Sequence, residues 1–179
     1  YTVPGETVNR LCASGMSAVI NAARAIHNND GELIIAGGVE HMTRGPYVVS
    51  KSSKAFGTDQ KMFDSSFGWR FVNPGMERMY GVDAMGVTAE NLADMYHISR
   101  DDQDALALVS QQRAAAAIRE GRFAGQIAPV EVKSRGKVSM FETDEYVRMD
   151  AKPDDFAKLK PIFRREGSVT AGNASGVND

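Results

Sequence analysis

The sequence predicts an α/β protein, and the order of its first elements carries this prediction. Apolar residues recur at helical spacing between Met16 and Ile26, which predicts a helix of about four turns. The continuously apolar residues 33–36 follow and end in two glycines, as buried strands often do. With a strand-like entry at residues 7–9, the order is strand, helix, strand, which is a βαβ unit.

The middle of the chain predicts an irregular segment and then two helices. Residues 43–86 show no clean period, which is typical of a long excursion that carries function. Thr88 begins a short helix that ends near Tyr96. Ser99, with Asp102 three residues later, predicts the start of a longer helix that runs to residue 121.

The last third predicts a pair of strands and one more helix. Residues 127–132 and 138–141 are rich in β-branched or apolar residues and flank a turn that contains Gly136. A short helix is expected before Pro161. No internal repeat interrupts this order.

Composition limits the class of protein. The hydrophobic fraction of 42% and the charged fraction of 25% are typical of a folded globular protein. A formal net charge of −2 argues against a general nucleic-acid partner, and no apolar run reaches the length of a membrane span. The one cysteine excludes an intramolecular disulfide, which fits a reducing compartment. We therefore expect a cytoplasmic protein without nucleic-acid or membrane partners.

The two ends of the chain indicate a piece of a longer protein. The sequence starts at Tyr1 without a methionine and runs into a strand-like pattern. It stops at Asp179 directly after a glycine-rich segment, with no helix or strand to close the fold. We expect an internal fragment.

Cys12, the single cysteine, is the leading candidate for a nucleophile. It lies just before the first predicted helix, where unpaired backbone N–H groups and the helix dipole favour a thiolate. The same N–H groups are suited to hold an oxyanion. The alternative is a small buried hydrophobic residue, the commonest role of a free cysteine.

Several blocks of the sequence occur in one order over essentially the whole chain: VNRLCASG, IIAGGVEHM, GVTAENLAD, SRDDQDALALVSQQRAA, GRFAGQIAPVEV, DEYVR, LKPIF and SVTAGNASGVND. In this order they resemble the thiolase family. The segments GWRFVNP and YGVDAM most resemble the 3-oxoadipyl-CoA thiolases of aromatic-acid degradation. The resemblance implies a partial thiolase-like fold, with part of the N-terminal core half and an inserted loop domain.

The resemblance also implies a division into three parts. Residues 1–42 are expected to form the N-terminal core segment with the nucleophile. Residues 43–167 are expected to form the loop domain, which holds coenzyme A, and residues 168–179 to return to the core.

Family positions give roles to individual residues. Cys12 aligns with the acyl-accepting nucleophile of the family, and its catalytic histidine and second cysteine are expected outside this chain. Met85 aligns with a residue of the acyl and pantetheine tunnel, and Arg148 with an arginine at the ADP end of coenzyme A. Ala171 and Ser175 align with residues beside the pantetheine. Arg70 is a further hypothesis, as the partner of a distal substrate carboxylate.

The implied function is thiolytic cleavage of a 3-oxoacyl-CoA through an acyl-cysteine. The substrate that the resemblance favours is 3-oxoadipyl-CoA, whose cleavage would give succinyl-CoA and acetyl-CoA. The alternatives are a biosynthetic acetoacetyl-CoA thiolase and a non-catalytic module that binds coenzyme A. Coenzyme A is a substrate here, and no metal or tightly bound cofactor is expected. The family resemblance also implies a homodimer or homotetramer, and a fragment without the bases should be inactive.

Overall fold

The computed structural model describes residues 2–178, which separate into two compact units after Arg44. The first unit contains helix α1, Ser14–His27, and a 3₁₀ turn at Met42–Arg44. Helix α1 is the predicted four-turn helix, and it ends at Asn28 because Asn29 takes a left-handed conformation with φ +62°. The prediction of this helix is confirmed.

The two strands predicted around α1 are wrong. Residues 7–9 and 33–36 have no strand structure in the part of the chain that the structure describes. Leu33 and Ile35 are 88% and 95% exposed, so the apolar run is not buried either. A strand exists only when a neighbour pairs with its backbone N–H and C=O groups, and no described segment does so here. The described residues therefore form no βαβ unit.

The second unit, Gly45–Asn178, begins with a small hairpin. Strand β1, Tyr47–Val49, pairs antiparallel with β2, Met62–Asp64. Helix α2, Pro74–Tyr80, follows. It starts at this point because the Asn73 side chain caps the amides of Gly75 and Met76. The segment predicted to be irregular thus contains three short elements.

Two longer helices follow and define the middle of this unit. Helix α3 is Met85–Tyr96 and helix α4 is Arg100–Arg119. Between them His97 takes a left-handed conformation that ends α3, and the Ser99 hydroxyl accepts a hydrogen bond from the Asp102 amide at 3.1 Å. Both helices and the cap of α4 are confirmed, although α3 begins at Met85 rather than at Thr88 and α4 ends at Arg119 rather than at residue 121.

A second hairpin and a short helix complete the unit. Strands β3, Val130–Ser134, and β4, Lys137–Phe141, pair antiparallel around a two-residue turn. Arg135 and Gly136 both have positive φ, as this tight turn requires. Helix α5, Pro153–Ala157, is the predicted last helix. The strand pair is confirmed, although β3 begins at Val130 rather than at residue 127.

The core of the second unit lies where α3, α4, α5 and residues 168–173 meet. Its buried apolar side chains are Ala93, Ala115, Phe156 and Val169. Glu90 and Thr170 are the largest fully buried side chains among the described residues. The best protected part of this unit is therefore partly polar, and hydrogen bonds decide how it is arranged.

Candidate functional site

Cys12 is exposed and lies two residues before α1. Its turn is braced by neighbouring side chains: Asn9 accepts from the Leu11 amide at 3.0 Å, and the Ser14 hydroxyl accepts from the Arg10 amide at 2.7 Å. Leu11 has φ +49°, a conformation that a branched side chain rarely adopts and that often marks a functional turn. The thiol is accessible and stands at a helix start, but no strand precedes it.

Three neighbouring cavities in the second unit lie along residues 171–175, and the third shares lining residues with each of the other two. The first, of about 540 Å³, lies between the end of α5 and residues 146–151. The second, of about 440 Å³, lies against α3. The third, of about 320 Å³, shares Gly172 with the first and Asn173 with the second. We call the three together the groove.

Arg148 and Ala171 line the first cavity. The Gln111 side chain on α4 fixes the loop of Arg148, because its carbonyl oxygen accepts from the Arg148 amide at 2.8 Å. Arg119 holds the next residue, since its guanidinium donates to the Met149 carbonyl at 2.6 Å. The cationic side chain of Arg148 is exposed, so it is available to an anionic ligand.

Met85 and Ser175 line the second cavity. Met85 is the first residue of α3 and is 83% exposed. Phe163 also lines this cavity, and its ring lies directly on Gly86, where an added Cβ would overlap the ring atoms. The lining of this cavity is mostly apolar, as a pocket for an aliphatic chain needs to be.

Glu90 fixes one end of the segment that joins the cavities. Its side chain is fully buried, and its oxygens accept from the amides of Ser168 and Val169 at 2.9 to 3.0 Å and from the Ser168 hydroxyl at 3.2 Å. Burial by itself raises the pKa of this carboxyl. The donors of Ser168 and Val169 and the Arg164 guanidinium 3.6 Å away outweigh burial, so the pKa of Glu90 lies below its ordinary value of 4.5.

Asn173 fixes the middle of the same segment. Its side-chain oxygen accepts from the Thr170 amide at 2.7 Å, and its NH₂ group donates to Asp104 at 2.9 Å and to the Ser168 carbonyl at 3.1 Å. Arg100 in turn holds the other oxygen of Asp104 at 2.7 Å. The wall of the groove is thus tied to α4 through a chain of polar contacts.

Sequence reasoning missed Glu90, Asn173 and the polar face of α4. The polar residues of this face recur at roughly whole turns of the 3.6-residue period. They are Arg100, Gln103, Asp104, Gln111 and Arg119. This stripe is a signal that can be read in the sequence, whereas apolar character on the same helix is a poor guide to burial, since Leu106 is 74% exposed.

Arg70 is not brought together with the other candidates. Its guanidinium donates to the Gly68 carbonyl at 3.2 Å, and it is absent from the lining of the three cavities. Cys12 belongs to the first unit and the groove to the second. The structure therefore places Arg148 with Ala171 in one cavity and Met85 with Ser175 in another, and Cys12 and Arg70 line neither.

Two further features concern residues 2–178. No group of histidine, cysteine and carboxylate side chains there has the arrangement of a metal site. No helix in that range combines the length and apolarity that a membrane crossing needs.

Comparison with known proteins was made on the whole chain. The family model described as "Thiolase, N-terminal domain" matches residues 1–179. The beta-ketoadipyl-CoA thiolase of Pseudomonas knackmussii is 54% identical over 178 residues, which are 99% of this chain and 44% of that protein. The 3-oxoadipyl-CoA/3-oxo-5,6-dehydrosuberyl-CoA thiolase of Escherichia coli K12 is 50% identical over 179 residues, which are 99% of this chain and 45% of that protein.

A solved structure agrees with the sequence relatives. The acetyl-CoA acetyltransferase of Bacillus anthracis superposes with a TM-score of 0.82 at 40% identity, and the match covers 99% of this chain and 44% of that chain. This chain spans less than half the length of the relatives it matches. The similarity confirms the predicted thiolase-like α/β fold. On the family model, the curated relatives and the superposed structure together, this chain belongs to the thiolase family.

Proposed function

We propose that this protein binds coenzyme A thioesters in the groove and takes part in thiolytic cleavage of a 3-oxoacyl-CoA. One observation carries the proposal. Family positions select Met85, Arg148, Ala171 and Ser175 as coenzyme-binding residues, and all four line the groove: Arg148 and Ala171 in the first cavity, Met85 and Ser175 in the second. Arg148 offers a cation for phosphate at one end, and the apolar cavity beside Met85 suits an aliphatic arm at the other.

In the proposed reaction the Cys12 thiolate attacks the 3-oxo carbon of the substrate. The bond between C2 and C3 breaks, its electron pair stays on C2, and protonation of that carbon gives acetyl-CoA. The shortened acyl group remains on Cys12 as a thioester. The thiol of a second coenzyme A loses its proton, attacks the thioester and releases the shortened acyl-CoA with the free thiolate. The general acid and base are assigned to family residues outside these 179 positions.

The proposed substrate is 3-oxoadipyl-CoA, and succinyl-CoA and acetyl-CoA are its products. Two relatives at 50% and 54% identity carry names for this substrate, which supports the choice. Asp83 and Ala84 stand before Met85, where many family members have Tyr-His, and this difference also favours another acyl group than acetoacetyl. Arg70 is proposed as the partner of the distal carboxylate, because a charge-assisted pair would select it.

A second candidate function is acetyl-CoA acetyltransferase chemistry on a four-carbon substrate. The superposed Bacillus anthracis structure bears that name, which is the observation in its favour. A third candidate is a non-catalytic module that binds coenzyme A. Cleavage of six-carbon dicarboxylic and four-carbon substrates, compared side by side, separates the first two functions.

The test of the shared proposal measures binding and adduct formation. We expect calorimetry to detect binding of coenzyme A, and we expect Arg148→Ala to lower the affinity. The control is Arg135→Ala, at the exposed tip of the β3–β4 hairpin, which should leave the affinity unchanged. After incubation with a 3-oxoacyl-CoA or acetyl-CoA, the intact mass of the protein should show an acyl adduct, which is the thioester on Cys12. The Cys12→Ser variant cannot form this thioester and should show no such adduct. Binding without any adduct on Cys12 supports the non-catalytic module, and no binding rejects the proposal.

We further propose a cytoplasmic homodimer or homotetramer, from the family resemblance. Light scattering coupled to gel filtration measures the mass directly. A mass of one chain at micromolar concentration would contradict the oligomer.

A further inference from the structure

Glu90 is a buried carboxylate that the proposed reaction does not use. It lies on α3, and its carboxylate oxygens accept hydrogen bonds from the backbone N–H groups of Ser168 and Val169, which are far away in sequence. Removal of such a charge from water is costly, and an apolar pair would hold a loop to a helix at a lower cost. The carboxylate therefore has a role that apolar packing does not provide, which is to fix the direction of two successive N–H groups.

The segment that Glu90 holds has no regular hydrogen bonding of its own. Residues 168–178 form neither helix nor strand in the described part of the chain. Its course depends on side chains, namely Glu90 at the start, Asn173 in the middle and the Tyr146 hydroxyl, which donates to the Ala174 carbonyl at 3.5 Å, near the end. Ala171 and Ser175 lie within the span of these contacts.

The contact also leaves no room for adjustment. An added Cβ at Gly167 would overlap the Glu90 carboxylate, and one at Gly172 would stand 2.6 Å from the Leu159 side chain. The segment therefore passes between Glu90 on one side and the end of α5 on the other with its backbone in close contact. Because the backbone is in close contact at both of these glycines, we expect a displacement at Ser168 to shift the residues that follow it toward Gly172.

We propose that Glu90 is a positioning residue for coenzyme A, whose carboxylate sets the course of residues 168–175 so that Ala171 and Ser175 line the groove. This inference rests on the proposed coenzyme binding. Glu90 touches no part of the ligand in this proposal and acts only through the segment. Its loss should weaken coenzyme A binding even where the protein is fully folded.

The test uses Glu90→Gln, which removes the charge and replaces one acceptor oxygen by a donor that faces the Ser168 N–H. We expect coenzyme A to bind about ten- to a hundredfold more weakly, as for a misplaced binding group. The control is Ser99→Ala, which loses the cap of α4 but no contact to the segment. Calorimetry is carried out well below the unfolding temperature of each variant, so a merely structural role would leave the affinity unchanged.

Hydrogen exchange gives a readout that needs no ligand. In Glu90→Gln the amides of Thr170 and Gly172, which are bonded within the segment, should exchange faster. Faster exchange confined to Ser168 and Val169 would overturn the inference. A wild-type protein that does not bind coenzyme A would reject the proposed function, and the exchange pattern would still decide the positioning role.

Two further outcomes complete the experiment. An affinity of Glu90→Gln within about twofold of the wild type, with only its stability lowered, overturns the inference, since a tenfold change is about 1.4 kcal/mol and easily measured. If Glu90→Gln does not fold, Ser168→Ala takes its place. It removes the hydroxyl that donates to Glu90 and accepts from the Gln103 side chain, and it keeps both backbone donors to Glu90. A weaker loss of affinity is therefore expected, and an unchanged affinity rejects the proposal.

Discussion

The side-chain NH₂ of Asn173 donates a hydrogen bond to the Asp104 carboxylate at 2.9 Å, and this contact joins the wall of the groove to α4. Asn173 also satisfies the Thr170 amide and the Ser168 carbonyl. One half-buried side chain thus completes three contacts in a segment without secondary structure. The shape of the groove depends on it.

Asn173→Ala should lower the free energy of unfolding by about 1–3 kcal/mol, because it leaves partly buried donors and acceptors unpaired. Urea unfolding followed by circular dichroism measures this. The matched control is Asn91→Ala, whose exposed side chain bonds only to Asp83 at 2.9 Å and should change stability by less than about 0.5 kcal/mol. Equal losses in the two variants would contradict the role given to Asn173.

The stability should fall in acid in part through Glu90. Its pKa is lowered in the folded protein by the donors of Ser168, Val169 and Arg164, against burial, from an ordinary value of 4.5. The stabilisation is therefore complete above pH 4.5 and is lost as the pH falls through the folded pKa below it. Urea midpoints of wild type and Glu90→Gln should converge as the pH falls below 4.5. A constant difference down to the acid transition would be the contrary result.

Gly86→Ala should destabilise the second unit although alanine is the better helix former. The gain in helix propensity is at most about 1 kcal/mol, whereas the new Cβ would overlap the Phe163 ring and force it out of place at about 1–3 kcal/mol. The control is Gly125→Ala, where no atom lies within 4 Å of the added Cβ. The thermal unfolding temperature should be lower for Gly86→Ala than for the wild type and nearly unchanged for Gly125→Ala.

Arg70→Ala tests the proposed choice of substrate. It should raise the Michaelis constant for 3-oxoadipyl-CoA far more than that for acetoacetyl-CoA, because only the former carries a distal carboxylate to pair with a guanidinium. Steady-state kinetics with both substrates, on a protein that also carries the general acid and base of the proposed reaction, measures the ratio. Equal effects on the two constants would reject this role of Arg70.

Local signals in the sequence predicted those elements whose hydrogen bonds are local. Ser99 caps α4 through an amide three residues away, and Arg135-Gly136 closes a hairpin whose strands are neighbours in sequence. The strands expected at residues 7–9 and 33–36 fail for the opposite reason. Their bonds would go to distant segments, and an apolar run alone does not supply them.

The candidate site divides in the same way. Family motifs in the sequence selected Met85, Arg148, Ala171 and Ser175, and the structure places these four in pairs, in two cavities of the groove. Glu90 is different. The residues around it in sequence form an ordinary amphipathic pattern, and the groups that donate hydrogen bonds to it lie near residue 168. No local pattern indicates that such a carboxylate is buried.

By itself, the sequence determined helices α1, α3, α4 and α5, the Ser99 cap, the position of the one cysteine before α1 and the family resemblance from which the thiolase-like fold followed. Capping, helical periodicity and tight turns depend on contacts within a few residues, and family motifs are local strings. Only the tertiary structure decided that Glu90 and Asn173 hold residues 168–175 and that a polar face of α4 supports the groove. Those contacts join groups that are distant in sequence. Their strength depends on burial, and burial is defined only in the folded chain.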